Sequence, residues 1–298
     1  MYEQLEKNVR RSALLIAAFV LVVLAFGWLF GWLFGYGPLG LGIAVVFAVF
    51  MAWNSYRNGD KIVLRLSRAR EVTHAEQPRL HNLVEGLAIA AGIPKPRVYV
   101  VEDPAPNAFA TGRDPAHASI AMTTGLLEKM NRVELEGVVA HELAHVKNRD
   151  TLVMAIVATL VGVIVLLADW SLRAFWWGGG RRRGGDGGAV GILVLVGILA
   201  SLLMPLFASI MRAAVSRRRE FFADMSGVQL TRYPPGLISA LEKLRADTTV
   251  VRTAAHATGH LWIESPLDEQ KATLQSRVNR LFHTHPPMDE RIRVLREL

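Results

Sequence analysis

The chain contains no cysteine among its 298 residues. This absence excludes disulfides and thiolate metal sites, and it fits a catalytic part that lies in a reducing compartment. Any bound metal ion must therefore take nitrogen and oxygen ligands. Charge is also missing over one long stretch, because residues 13–53 include no Asp, Glu, Lys or Arg. A stretch of this kind is typical of a membrane-embedded segment.

The uncharged stretch is long enough for two membrane-spanning helices. One span needs about 20 residues, whereas the apolar region of a cleaved signal peptide has only about 7 to 15. The sequence Tyr36-Gly37-Pro38 favours a tight turn within the stretch. We therefore predict that residues 1–53 form an N-terminal transmembrane hairpin.

Two further apolar stretches occupy residues 152–168 and 189–211. The first is at the short end for a span, so a short span, a partly embedded helix and a buried core helix all remain open. The second contains Pro205, which neighbouring helices in a bilayer tolerate. A loop rich in Gly and Arg separates the two stretches. We predict a second transmembrane hairpin at residues 152–211, and about four transmembrane helices in the whole chain.

The basic residues indicate the orientation of the first hairpin. Lys and Arg precede its first helix and follow its second, whereas the turn between them is uncharged. By the positive-inside rule both ends face the cytoplasm, although the rule does not discriminate for the later stretches. Attraction to anionic lipid head groups explains the net charge of +8, and no nucleic-acid motif is present. We expect a lipid bilayer as a partner and no nucleic acid.

The sequence His141-Glu142-Leu143-Ala144-His145 is the main sign of chemistry. Residues four apart lie on one face of a helix, so both imidazoles can bind one zinc ion about 2.0 to 2.1 Å away. Glu142 then lies beside the metal as the general base of an H-E-x-x-H motif. Because such five-residue patterns also occur by chance, the surrounding sequence decides the interpretation.

The surrounding sequence favours a rigid helix. Residues 131–150 read as one helix, with Asn131 as its N-cap and Glu134 three residues later in a capping-box arrangement. Both histidines then project from a single regular element.

A third ligand is required, because catalytic zinc usually has three protein ligands and one open position. Glu220 is the candidate, and Asp224 lies four residues later on the same face of a predicted helix. Ligating histidines usually donate their second ring nitrogen to a carboxylate or a carbonyl, and Asp224 is placed to accept that bond. The alternative is a solvated acidic edge beside three arginines.

The catalytic domain must assemble from two pieces, residues 54–151 and 212–298, because the histidines lie in the first and Glu220 lies in the second. The first piece contains one predicted helix and two predicted strands, at residues 78–91, 97–101 and 118–123. These elements predict an α+β domain that is mostly helical with a small sheet.

In their order along the chain, these motifs resemble the HtpX group of membrane zinc metalloproteases, which are relatives of the CAAX prenyl proteases. The resemblance rests on the two apolar hairpins, the H-E-x-x-H motif, Ala91-Gly92-Ile93-Pro94, Asn107-Ala108-Phe109-Ala110, Arg219-Glu220-x-x-Ala223-Asp224 and His285-Pro286-Pro287. It implies a gluzincin-type fold in a multi-pass protein of a bacterial or archaeal plasma membrane. It also implies a cytoplasmic site and quality-control proteolysis of membrane proteins or unfolded polypeptides.

The resemblance implies a role for each matching residue. His141, His145 and Glu220 are expected to bind one zinc ion, Glu142 to act as the base, and Asp224 to orient a ligand.

The resemblance also extends to substrate contacts. Asn107 and Ala108 match a segment near the substrate edge strand, where a peptide pairs through its backbone; an ordinary turn is the alternative. His285 and Arg291 fall in the C-terminal match, where a cation is expected to stabilise the oxyanion.

Two other functions stay open at this point. One is a CAAX-type protease for prenylated peptides, although those enzymes enclose a chamber with more than the four spans predicted here. The other is a catalytically silent zinc-binding membrane scaffold, which would have no need of Glu142.

Overall fold

Two long helices at the N-terminus, α1 (Tyr2–Leu33) and α2 (Pro38–Leu66), form the predicted helical hairpin. The computed structural model describes residues 2–33, 35–159, 217–249, 251, 261–263 and 286–298. The chain reverses at the predicted turn, where Gly37 has a φ of 52° that glycine adopts without strain. Most of the predicted second hairpin lies outside the described residues.

The hairpin contains a candidate membrane span. Within the described ranges, α2 is the one helix that is long and apolar enough to cross a membrane by length and composition. Shorter apolar helical stretches are Ser12–Ala25, within α1, and Asp150–Thr159. The two helices of the hairpin approach closely where Gly31 of α1 faces Gly40 of α2, since a Cβ added at Gly40 would lie 2.5 Å from the Gly31 Cα.

A four-stranded mixed sheet follows. Its strands are β1 (Arg70–Glu71), β2 (Arg97–Val101), β3 (Ala108–Gly112) and β4 (Ala118–Thr123), in the order β1-β2-β4-β3. β2 and β4 are parallel, and the outer strands pair antiparallel with them. The two predicted strands, β2 and β4, are confirmed. β1, which has two residues, and β3, which has few branched side chains, are not among the predicted strands.

The core lies between the sheet and the helices. α3 (Pro78–Ala91) has its predicted bounds and ends at Gly92, whose φ of 69° is left-handed. The short α4 (Thr124–Lys129) directly follows β4. Elements from the first and last parts of the chain contribute to one buried apolar cluster, which includes Val84, Ile120, Leu143, Leu241 and Leu244.

The predicted single helix over residues 131–150 is confirmed up to Lys147 and is wrong in its last three residues. α5 (Arg132–Lys147) ends before a turn at Asn148 and Arg149, and α6, described as Asp150–Thr159, begins after it. Arg149 has a left-handed φ of 57°, which a residue other than glycine rarely adopts. This residue interrupts the helix shortly after the H-E-x-x-H motif.

The start of α5 is the predicted capping box. The Asn131 side chain accepts hydrogen bonds from the amides of Val133 and Glu134, and the Glu134 carboxylate accepts one from the amide of Asn131. Glu134 also accepts hydrogen bonds from Ser239 at 2.6 Å and Lys243 at 2.7 Å. One carboxylate therefore fastens the N-terminus of α5 to the later part of the chain.

Three more helices belong to the described part of the second piece: α7 (Arg217–Thr231), α8 (Pro234–Ala246) and α9 (Met288–Arg296). α7 crosses α5 at Gly227, where an added Cβ would lie 3.1 Å from the backbone nitrogen of His141. This crossing brings helices from both pieces of the predicted catalytic domain into direct contact.

Glu134→Gln should lower the free energy of unfolding by about 1 to 2 kcal/mol, because it removes the charge of a buried capping carboxylate. Burial raises the pKa of Glu134, but bonds from Lys243, Ser239 and Asn131 bring it below its ordinary value of 4.5. The stabilisation is therefore full above pH 4.5, and it is lost as the pH falls through the lower folded-state pKa. Thermal unfolding in detergent at several pH values measures both effects.

The matched control is Glu128→Gln, an exposed position on α4, which should unfold like the unchanged protein. Equal destabilisation by the two variants, or an unaltered pH dependence in Glu134→Gln, would contradict this role of Glu134.

Candidate metal centre

Three buried side chains converge between α5 and α7. His141 and His145 project from one face of α5 and Glu220 projects from α7, with one ligand atom of each within 4.8 Å of the others. The two Nε2 atoms are 3.2 Å apart. Glu220 Oε2 is 3.7 Å from His141 Nε2, and its Oε1 is 3.6 Å from His145 Nε2. The structure thus brings together the three residues expected to bind a metal ion.

These distances fit a tetrahedral metal ion. Metal–ligand bonds of about 2.0 to 2.2 Å in tetrahedral geometry separate neighbouring ligand atoms by about 3.3 to 3.6 Å. The three separations between Nε2 and carboxylate atoms are close to this range. Three protein ligands also leave a fourth position open for water or substrate.

The charge around the ligands favours a cation. Four carboxylates and two guanidinium groups are buried here among the described side chains: Glu142, Asp150, Glu220, Asp224, Arg219 and Arg291. The carboxylates outnumber the guanidinium groups by two, and a divalent cation would balance this excess. Burial lowers the pKa of His145, but Glu220 and Asp150 raise it to about 9. The site therefore has a negative potential that attracts positive charge.

Asp224 contacts the first histidine. Its Oδ1 lies 2.8 Å from His141 Nδ1, so Nδ1–H donates to the carboxylate and Nε2 is left to face the metal position. Burial raises the pKa of Asp224, but Arg291 and His141 lower it below its ordinary value. Asp224 therefore stays ionised, and it occupies the position expected of it from the sequence.

Arg291 lies behind Asp224. Its guanidinium is fully buried and donates to Asp224 through Nε at 2.9 Å and Nη2 at 2.6 Å. Burial lowers the pKa of Arg291, but Asp224 raises it above its ordinary value, so the group stays charged. The same Nη2 also lies 3.5 Å from His141 Nε2, and the expected oxyanion contact stays a prediction. His285, the other residue of that expectation, lies outside the described residues.

A second carboxylate, not singled out in the sequence, contacts the other histidine. Asp150 Oδ2 is 3.0 Å from His145 Nδ1, and Arg219 Nη1 is 3.5 Å from Asp150 Oδ1. The signal in the sequence is a carboxylate five residues after a ligand. The prediction of an unbroken helix does not place this carboxylate near the histidine, because position i+5 lies roughly 140° around a helix from position i.

Glu142 belongs to the same cluster. It follows His141 on α5 and is 2% exposed. Its charge contributes to raising the pKa values of both His145 and Arg291. The carboxylate expected to act as the base therefore lies near both the ligands and their supporting groups.

The edge strand β3, which packs against α5, begins at Ala108, and Asn107 directly precedes it. Asn107 is buried, and its Oδ1 accepts a hydrogen bond from the Ala108 amide at 3.0 Å. The Ala108 carbonyl accepts one from the Ile263 amide, also at 3.0 Å. These groups, which the sequence analysis expects to contact substrate, are bonded within the protein. Their contact with a substrate stays a prediction.

The chain is similar to known metallopeptidases. The model of Peptidase family M48 matches residues 74–298. A protein described as Protease HtpX homolog from Thermoanaerobacter pseudethanolicus is 46% identical over 100% of this chain and 98% of its own length. Another of the same description, from Streptococcus gordonii, is 41% identical over all of both chains. The crystal structure of S. mikatae Ste24p is similar with a TM-score of 0.49 and 17% identity, over 99% of this chain and 67% of that one.

The chain belongs to Peptidase family M48 and is a metalloprotease. The resemblance to the HtpX group in the order of the sequence motifs is thereby confirmed.

Gly227→Val should move α7 away from α5, because a side chain at this position meets the backbone of His141. The shift would carry Glu220 away from the two histidines. We expect a loss of stability of about 1 to 3 kcal/mol and zinc binding weakened about 10-fold or more. Thermal unfolding and competition with a chelator measure the two effects.

Gly86→Val is the control, because an added Cβ at this exposed position of α3 has no heavy atom within 4 Å. It should leave zinc affinity unchanged. Equal effects of the two substitutions would contradict the importance of the helix crossing.

Proposed function

We propose that the protein is an integral-membrane zinc endopeptidase. It would hydrolyse membrane proteins or unfolded polypeptides on the cytoplasmic side of a bacterial or archaeal plasma membrane, as part of protein quality control. The observation that carries the proposal is the buried cluster of His141, His145 and Glu220 with Glu142 beside its first member. Two imidazoles and one carboxylate are a ligand set of catalytic zinc sites.

The residues of the site divide the chemistry between them. His141, His145 and Glu220 would hold the ion, which when bound supplies Lewis acidity that acidifies water and polarises the scissile carbonyl. Glu142 accepts a proton from the attacking water at its carboxylate and returns it to the leaving amine. Asp224 holds the His141 imidazole in the tautomer that presents Nε2.

The outer edge of β3 supports a position for an extended substrate. In the antiparallel pair with β4, the backbone N–H and C=O groups of every second residue of β3 point away from β4. Two hydrogen bonds identify these residues, because the Ala108 carbonyl accepts from the Ile263 amide and the Gly112 carbonyl accepts from the Thr151 hydroxyl. Ala110 lies between these two contacts. We infer that the Ala110 backbone pairs with the substrate, in the manner of an added strand.

The membrane part of the proposal rests on the apolar helices. α2 has the length and composition of a span, and large apolar side chains are exposed along it: Ile43, Val46, Val49, Phe50 and Trp53. Basic residues at both ends of the N-terminal hairpin favour a cytoplasmic position for these ends. α6 begins five residues after His145 and is apolar. Together with the predicted total of about four spans, this supports an active site at the membrane surface.

Glu142→Gln should abolish proteolysis while zinc is retained, because Gln keeps the shape of the side chain but cannot accept the proton. We expect the rate of hydrolysis to be about 10²- to 10⁴-fold lower. Hydrolysis of casein and of an unfolded membrane-protein substrate by purified protein in detergent measures the rate, and the zinc content is determined on the same samples.

Glu136→Gln, on the same helix but partly exposed, is the matched control and should remain active. Proteolysis by Glu142→Gln at the rate of the unchanged protein would contradict the role of Glu142 as the general base. Zinc binding by an unchanged protein that hydrolyses neither substrate would favour the silent scaffold instead.

A further inference from the structure

The second histidine of the metal centre has a buried carboxylate–guanidinium pair of its own. Asp150 accepts a hydrogen bond from His145 Nδ1 at 3.0 Å, and Arg219 approaches the other Asp150 oxygen at 3.5 Å. The Asp150 and Arg219 side chains are 3% and 4% exposed. This arrangement repeats, on the second ligand, the pair of carboxylate and guanidinium that supports the first.

The turn after α5 makes this contact possible. In an unbroken helix Asp150 would lie roughly 140° around the axis from His145, out of reach of its ring. The helix ends at Lys147, and Arg149 takes a left-handed φ of 57° before α6 starts at Asp150. Arg149 thus has an unfavourable backbone conformation, and this conformation brings the Asp150 carboxylate to His145.

The pair also joins the two pieces of the domain. His145 and Asp150 belong to the piece before residue 152, whereas Arg219 lies on α7 immediately before the candidate ligand Glu220. Fixing Arg219 against Asp150 therefore also fixes the turn of α7 from which Glu220 projects.

We propose that Asp150 is a positioning residue of the metal centre, which together with Arg219 holds His145 so that Nε2 faces the metal ion. A carboxylate that accepts from Nδ1 selects the required tautomer and makes Nε2 a better donor to the metal. The inference rests on the proposed zinc site. It requires that loss of the Asp150 carboxylate weakens metal binding beyond any effect on the fold.

The test measures the zinc dissociation constant of the purified full-length protein in detergent, by competition with a chromogenic chelator. Asp150→Asn should weaken zinc binding by about 10- to 100-fold. The absorption bands of the cobalt-substituted variant should also differ from those of the unchanged protein, because His145 is held less firmly. The unfolding temperature of the metal-free protein reports the purely structural effect.

Asp60→Asn is the matched control. Asp60 is a largely buried carboxylate on α2 that pairs with Arg97 at 3.2 Å, apart from the metal centre. This variant should lose stability without a change in zinc affinity or in the cobalt spectrum.

A change in zinc affinity below about twofold in Asp150→Asn would overturn the proposal. The proposal would also be overturned if Asp60→Asn lost as much zinc affinity as Asp150→Asn while the two metal-free variants unfolded at the same temperature. Asp150 would then serve only to begin α6. If Asp150→Asn does not fold, Arg219→Gln decides, because it keeps the carboxylate but removes its partner. Arg219→Gln should weaken zinc binding several-fold, and an unchanged affinity would contradict the coupling.

The double variant gives a further check. Because Arg219 acts through Asp150, Asp150→Asn with Arg219→Gln should bind zinc no more weakly than Asp150→Asn alone, and additive losses would overturn this step. Failure of the unchanged protein to bind zinc would refute the proposed function itself, which is a different outcome from unchanged binding in the variants.

Discussion

The close packing of α7 on α5 is the interaction on which the metal centre depends. The two histidines and Glu220 come from separate parts of the chain, and they meet because Gly227 allows the helices to approach. A metal site tolerates errors of only about 0.2 Å in its ligand distances, which is less than the displacement that a side chain at this crossing would cause. Metal binding is therefore a consequence of helix packing, and the site can form only after both pieces of the domain have folded together.

Burial of charge is the second constraint. Asp224 pairs with Arg291 and Asp150 with Arg219, and each aspartate also accepts a hydrogen bond from a histidine. The cluster as a whole still has two more carboxylates than guanidinium groups among its described members. An excess of buried negative charge is costly, and a divalent cation removes that cost. Metal binding should therefore stabilise the fold as well as supply the chemistry.

The parts of the fold that follow from local signals were predictable. Pro78 and Gly92 bound α3, the capping box starts α5, and helical spacing placed the histidines and the Glu220 segment. The contact of Asp150 with His145 was not predictable, because it depends on the left-handed conformation of Arg149. No local sequence pattern predicts that conformation for a residue other than glycine. The position of Arg291 depends on the docking of a distant helix. β3 is a strand because β4 pairs with it, which its own composition does not indicate.

The most direct test of the account is the zinc content of purified Glu220→Ala protein compared with that of the unchanged protein, measured by elemental mass spectrometry. Far-ultraviolet circular dichroism on the same samples shows whether the helices are retained. The account predicts about one zinc ion per chain in the unchanged protein and little zinc in the variant, at equal helical content. An unchanged protein without zinc, or a folded variant with as much zinc as the unchanged protein, would contradict it.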